Sequence, residues 1–441
     1  MEKLLSTKDK ICYGIGAFGD TAMFNLLTVY LLFFFTDVVG MGPIQAGNIL
    51  SVSILVSSVY LIFIGYLSDA RPFKDGFRAP FLRISLLPTF VFSVMVFYAL
   101  KTGHTTQYIY YITVNSLLWV SHATYTMPHT AAAGELSGST EERISLRSYS
   151  RFFMGFANLF VLVFFIKAIE FFEMSGAVTE NAWLFSAACV SAPALVCSTI
   201  SWRFIRSREA HAAPAAETRR LGNIVKDHLE VLMLKPMRYV LVVTMFFSAS
   251  NTFFFAVMIY FLEYNMGADA SGKAGIFLII SIGGIIVTPL VSRAAHKIGN
   301  EEALTSFYIV AGLGMLILGL LGVNSIFLLG ALAAVFTIGM SSHWQLIFTL
   351  MYSVGDYNVK LHGKNRQGVI VALTSSLYRL LTAVYTKILS FVLFTVGYDS
   401  LLTQQSSLTL KGIEIMFIFI PVLFLFLSAA SLFAYIRKYK R

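Results

Sequence analysis

Among 441 residues of which only 13% are charged, a few ionisable side chains interrupt long apolar runs, and any chemistry must be sought there. Asp20 interrupts GIGAFGDTAMFN, Arg379 and Lys387 interrupt SSLYRLLTAVYTKILSF, and Arg151 stands in SYSRFF at the edge of a run. Glu135, His129 and His343 lie in or beside other runs. A charge inside an apolar span is expensive unless it faces water or a partner, so residues of this kind are functional candidates. A carboxylate at Asp20 can accept hydrogen bonds from a polar solute or carry a proton. Glu135, His129 and His343 are further candidates for proton coupling, the histidines because imidazole titrates near neutrality. Arg151 and Arg379 outnumber that acid, which suits a solute with an anionic group or a strong acceptor. Asn25, Thr126, His129, Thr130 and Gln345 can hold hydroxyls, and the Trp344 ring can stack on a sugar ring or a flat ligand.

Positioning these residues requires helices that span a membrane. Hydrophobic residues make up 57% of the chain, and the stretch VLVVTMFFSASNTFFFAVMIYFL at 240–262 holds no charge at all. A soluble protein builds its surface with roughly a quarter charged residues, whereas about 20 consecutive apolar residues cross a bilayer core. Twelve such runs are predicted, centred near 24, 56, 91, 119, 158, 193, 250, 283, 313, 338, 382 and 424. The longest polar interval, RSREAHAAPAAETRRLGNIVKDHLEVLMLKP, falls between the sixth and the seventh. The chain therefore reads as an all-α integral membrane protein with a six-helix bundle over 1–204, a linker over 205–236 and a second six-helix bundle over 237–441. Small residues such as those of GIGAFG allow helices in a membrane to approach closely.

Charge orients these spans. Of the Lys and Arg residues, 27 fall on the side of both termini and 4 on the other. Positive residues near span ends resist translocation, so both termini are expected in the cytoplasm, beneath a bacterial inner membrane or plasma membrane. The net charge of +10 is distributed between spans rather than along one face, which argues against a nucleic-acid partner. Cys12, Cys189 and Cys197 lie in or beside apolar runs and suggest neither a disulfide framework nor a metal site. There is no G-x-x-x-x-G-K-[ST] phosphate loop, so ATP is not expected to drive the protein. No enzymatic activity and no cofactor is expected, and the chain is expected to act as a monomer in the lipid bilayer.

The connection between the second and third runs reads GYLSDARPFKDGFRAPFLR at 65–83, dense in charge for so apolar a chain. The first run opens YGIGAFGDTAMFN, the fifth SYSRFF, and VGDYNVKLHGKNRQG precedes the eleventh. Together, in this order on twelve runs, these stretches resemble the glycoside-pentoside-hexuronide cation symporter family, a melibiose permease-like branch of the major facilitator superfamily. The resemblance implies the major facilitator fold and secondary active transport of a small-molecule substrate by alternating access around a midplane site. It also implies gate roles for Asp69, Arg71, Arg78 and Asp356, and substrate contacts for Arg151, Trp344 and Arg379. Thr21, Thr126 and Thr130 stand where the family places sugar-binding acids and a tryptophan.

The family's two cation-binding aspartates correspond here to Ser57 and Leu61. Neither brings the negative charge that a sodium site of hard oxygens requires, so protons, acting through Asp20 or a histidine, are the expected coupling ion. The sequence thus reads as a secondary active transporter of a small polar solute, anionic or glycoside-like, coupled to protons. A lipid or lysolipid transporter of the same fold and a sodium-coupled sugar symporter are the alternatives, with a non-transporting membrane sensor the weakest.

Overall fold

The computed structural model describes residues 5–70, 78–136, 140–209, 221–362, 367–402 and 404–439, and every regular element among them is a helix. The first six long helices are α1 (Thr7–Val38), α2 (Pro43–Ala70), α3 (Ala79–Met95), α4 (His104–Glu135), α5 (140–174) and α6 (Thr179–Glu209). A short α7 (Leu221–Met233) follows. The remainder are α8 (Lys235–Asn265), α9 (Ala270–Ile298), α10 (Asn300–Leu321), α11 (Ile326–His362), α12 (Gln367–Thr395) and α13 (407–439). Apart from α7, each helix contains one of the twelve expected centres. Ten are long and apolar enough to cross a bilayer, and α3 is apolar but shorter. The twelfth, α4, has the length but carries Asn115, His122, Thr126 and His129 along it.

The interval expected as a linker is helical at both ends. α6 continues to Glu209, and α7 is amphipathic, with Val231 buried and Lys226 exposed. A helix with one apolar face forms wherever that face has a surface to meet, even when the surrounding composition reads as a connection.

The chain forms two compact units, Met1–Met41 with Asn48–Thr218 and Gly42–Gly47 with Arg219–Arg441. In the first unit α1 is the central element. It starts with a capping box, Ser6 accepting from the Asp9 amide and Asp9 from the Ser6 amide, which satisfies two of the amides a helix start leaves open. Its glycines then admit neighbours: a Cβ at Gly16 would fall 2.5 Å from His129 Nε2 and 2.5 Å from Ser201 Oγ, and one at Gly19 would fall 2.7 Å from the Ala194 carbonyl. α1 therefore lies against α4 and α6 at a spacing that only missing side chains permit. Farther along, Phe34, Phe97, Phe165 and Trp183 form a buried aromatic cluster, with Phe34 and Phe97 at 5.0 Å between centroids and Phe165 edge-on to Trp183 at 5.4 Å.

Carboxylates secure the opposite end of this unit. Glu142 accepts the Leu5 amide at 2.9 Å and pairs with Lys10 at 3.3 Å, and Asp9 pairs with Arg208 at 2.5 Å. Glu209 accepts the amides of Arg78 and Ala79 at 3.1 and 2.9 Å. The end of α6 thus caps the start of α3, where an anion meets the positive pole of the helix. In the second unit the core is again aromatic, with Phe254 stacked on Phe336 at 3.7 Å and on Phe417 at 4.9 Å.

Candidate functional site

In the first unit Asp20 of α1 meets His122 and Thr126 of α4. His122 and Thr126 are four residues apart and so share one face of their helix. His122 Nε2 lies 3.0 Å from Asp20 Oδ1 and 3.1 Å from the Asp20 carbonyl oxygen. Thr126 donates to Asp20 Oδ1 at 2.5 Å, and its hydroxyl also lies 2.8 Å from the His122 carbonyl. Both acceptors facing His122 Nε2 are oxygens, so that nitrogen carries the proton. Asp20 keeps 16% of its side chain accessible. Its Oδ1 is held by two partners, while Oδ2 makes no hydrogen bond among the described residues.

A small, partly open cavity lies beside this pair, lined by residues of α1, α3, α4 and α6. Its polar lining consists of Asp20, Thr89, His122, Tyr125, Ser191 and Ser198. Prolines stand next to these residues in three of the helices, Pro88 in α3, Pro128 in α4 and Pro193 in α6. Each lacks an amide hydrogen and so leaves the carbonyl four residues earlier without its helical partner. Helices in a membrane tolerate such gaps where neighbouring polar groups or water fill them. α1 itself departs from regular helix immediately after Asn25, in a π turn over Leu26–Tyr30, a distortion frequent at functional sites.

Other residues singled out in the sequence fall around this centre. Asn25 donates through Nδ2 to Asn158 Oδ1 of α5 at 2.5 Å. His129, 4% exposed, is stacked between Tyr13 at 4.7 Å and Tyr125 at 5.3 Å, with Nε2 3.2 Å from the Tyr13 carbonyl and 3.2 Å from Ser201 Oγ. That environment makes it a bolt between α1, α4 and α6. Thr130 and Arg151 are exposed, Arg151 on α5. Arg78 is buried at the start of α3. Arg71 lies outside the described residues, as do the side chains of Asp69 and Glu135.

The positions corresponding to the paired cation-binding aspartates are occupied otherwise. Ser57 donates to the Trp119 carbonyl at 3.2 Å, and Leu61 packs with Ile64 and Ala123 in an apolar cluster. A leucine among methyl groups supplies no oxygen to a cation.

In the second unit His343 is fully buried. Its Nδ1 meets the Tyr308 hydroxyl at 2.5 Å and Phe247 stacks on its ring at 3.5 Å. Its neighbour Trp344 is 38% exposed and stands edge-on to Phe247 and to Tyr378 of α12, at 6.1 and 5.2 Å. Asn251 Nδ2 donates to the Tyr378 hydroxyl at 3.1 Å, and Gln345 Nε2 donates to Ser292 of α9 at 2.6 Å. Arg379 and Lys387 are partly buried on α12, and Asp356 is exposed near the end of α11. Trp344 thus offers a supported aromatic edge, whereas His343 serves the packing beneath it.

The residue that sequence reading passed over is His122. The structure supplies its imidazole from α4 as the partner of Asp20. The signal was the spacing: His122, Thr126 and Thr130 recur every four residues, a polar stripe along the helix.

Known proteins resemble the chain over nearly its whole length. Residues 12–436 match the model of a family described as MFS/sugar transport protein. A Bacillus subtilis (strain 168) protein named "Uncharacterized symporter YjmB" is 24% identical over 424 residues, 94% of this chain and 90% of that protein. The "Isoprimeverose transporter" of Lactiplantibacillus pentosus is 22% identical, over 98% of this chain and 89% of its own. Among solved structures, a D-xylose-proton symporter superposes over 97% of both chains with a TM-score of 0.65 at 14% identity, a likeness of fold.

Proposed function

The chain belongs to the MFS/sugar transport family and is a secondary active transporter of the membrane, and on that premise we propose that it moves a glycoside together with a proton, gripping the sugar through Asp20. The observation that carries this reading is the state of the Asp20 carboxylate. Oδ1 is fixed by His122 and Thr126, and Oδ2 remains open to accept a hydrogen bond from a sugar hydroxyl. Hydrogen bonds to a charged acceptor are among the stronger ones a binding site can make. A neutral sugar suits that oxygen better than an anionic one, because a carboxylate repels a like charge brought against it.

The substrate named for the Lactiplantibacillus relative, isoprimeverose, is a glycoside of this kind. The Trp344 ring in the second unit, 38% exposed and braced by Phe247 and Tyr378, is suited to contact with an apolar sugar face. Protons are the coupling ion in this reading, because Ser57 is engaged by a backbone carbonyl and Leu61 by apolar neighbours. The 27 to 4 distribution of Lys and Arg supports termini that face the cytoplasm in this reading, with gate roles for Asp69, Arg71, Arg78 and Asp356 on that side.

Counterflow in proteoliposomes loaded with unlabelled isoprimeverose tests the reading. Labelled isoprimeverose should be taken up by the wild type and competed by other glycosides. Uptake competed only by lysolipids, or by none of the glycosides, would refute it.

A further inference from the structure

One buried atom at this site has no task in sugar binding, the Nδ1 of His122. His122 is 2% exposed. Its Nε2–H faces the two oxygens of Asp20, so its Nδ1 carries a lone pair, and that atom is buried without a hydrogen-bond partner. Thr89 Oγ1, across the cavity on α3, is likewise buried without a partner, and both residues line the same cavity with Ser191 and Ser198 of α6. Polar atoms inside a membrane-embedded bundle are normally satisfied, and a cavity with several polar groups on its walls is a place for water. A basic nitrogen in a hydrated cavity, with a carboxylate fixed behind it, is a site for a proton.

We propose that His122 Nδ1 is the acceptor of the coupling proton, reached through water in the cavity between α1, α3, α4 and α6. The inference rests on the reading of the chain as a proton-coupled glycoside transporter. A hydronium ion in the cavity gives its proton to the Nδ1 lone pair, an O–H bond breaking and an N–H bond forming, and neutral water remains. The Asp20–His122 pair passes from one net negative charge to none, and release reverses the step. The proton and the sugar then use two sides of one pair, the proton at the imidazole and the sugar at Asp20 Oδ2. Few groups share that charge. Asp20 faces His122 from α1, and Tyr125 and His129 lie beyond it on α4, His129 held against Tyr13 of α1. From α3 and α6 the cavity receives hydroxyls only, and Tyr60 of α2 is bonded to Thr124 at 3.0 Å.

The test joins a measurement on the protein alone to one on transport. In purified wild type carrying ¹⁵N-histidine, the resonances lost in His122→Gln, or moved in Asp20→Asn, identify His122. At alkaline pH they should show the Nε2–H form, and acidification should add a proton at Nδ1. In proteoliposomes, His122→Gln should retain measurable isoprimeverose counterflow at a reduced rate yet lose accumulation driven by a pH gradient at least tenfold. A His122 that carries its proton on Nδ1 when neutral, or that takes up no proton on acidification, overturns the proposal, as does wild-type accumulation by His122→Gln. Failure of the wild type to move isoprimeverose would refute the glycoside reading instead, and the resonances would still decide the proton site.

Discussion

Thr126 Oγ1 lies 2.5 Å from Asp20 Oδ1, a contact between α4 and α1 that fixes which carboxylate oxygen stays open. Thr126→Val keeps the shape and removes the hydroxyl. Hydrogen bonds to charged groups contribute about 1.5 to 3 kcal/mol, and tenfold in affinity corresponds to about 1.4 kcal/mol. The half-saturating sugar concentration in counterflow should therefore rise about tenfold or more. An unchanged value would show that Asp20 needs no help from Thr126.

Gly16 tests the packing that places Asp20. A Cβ there would fall 2.5 Å from both His129 Nε2 and Ser201 Oγ, and overpacking of this kind costs about 1 to 3 kcal/mol. Gly16→Ala should lower the thermal unfolding midpoint of the purified protein. Gly275→Ala is the control, because nothing lies within 4 Å of a Cβ at that position, and it should leave the midpoint unchanged or raise it.

Much of this architecture was legible in the chain because a bilayer makes simple demands. Apolar runs of spanning length became helices at every expected centre, and Asp20 stood out as an acid in a run of small and apolar residues. His122 was harder to read because an imidazole in an apolar helix has two ordinary uses, packing and chemistry, and only the tertiary fold distinguishes them. His129 and His343 stack against tyrosine and phenylalanine, whereas His122 faces a carboxylate. In the interval at 205–236, Ala, Pro and charge dominate the composition and hide the amphipathic turn pattern of α7.

Glu209 should matter for stability rather than for sugar recognition. Its carboxylate accepts the Arg78 and Ala79 amides at the start of α3, and loss of a helix cap costs about 0.5 to 2 kcal/mol. Glu209→Ala should lower the unfolding midpoint while the half-saturating sugar concentration stays within twofold. A large change in that concentration with no thermal effect would contradict the capping role.

Sodium should be dispensable. Ser57 is occupied with the Trp119 carbonyl and Leu61 with Ile64 and Ala123, so no carboxylate stands ready on α2 at these positions. Uptake driven by a pH gradient in sodium-free buffer should be unaffected by added sodium chloride, and Ser57→Ala should keep proton coupling. Strict sodium dependence, abolished by Ser57→Ala, would show that a cation does bind there.

The coupling of sugar to proton through Asp20 is tested most directly by recording external pH when isoprimeverose is added to a lightly buffered, de-energised suspension of cells expressing the protein. The wild type should alkalinise the medium as sugar and proton enter together. Asp20→Asn, which keeps the size of the side chain and removes its charge, should abolish that signal while sugar exchange persists in part. Isoprimeverose entry without alkalinisation by the wild type, or normal alkalinisation by Asp20→Asn, would contradict the account.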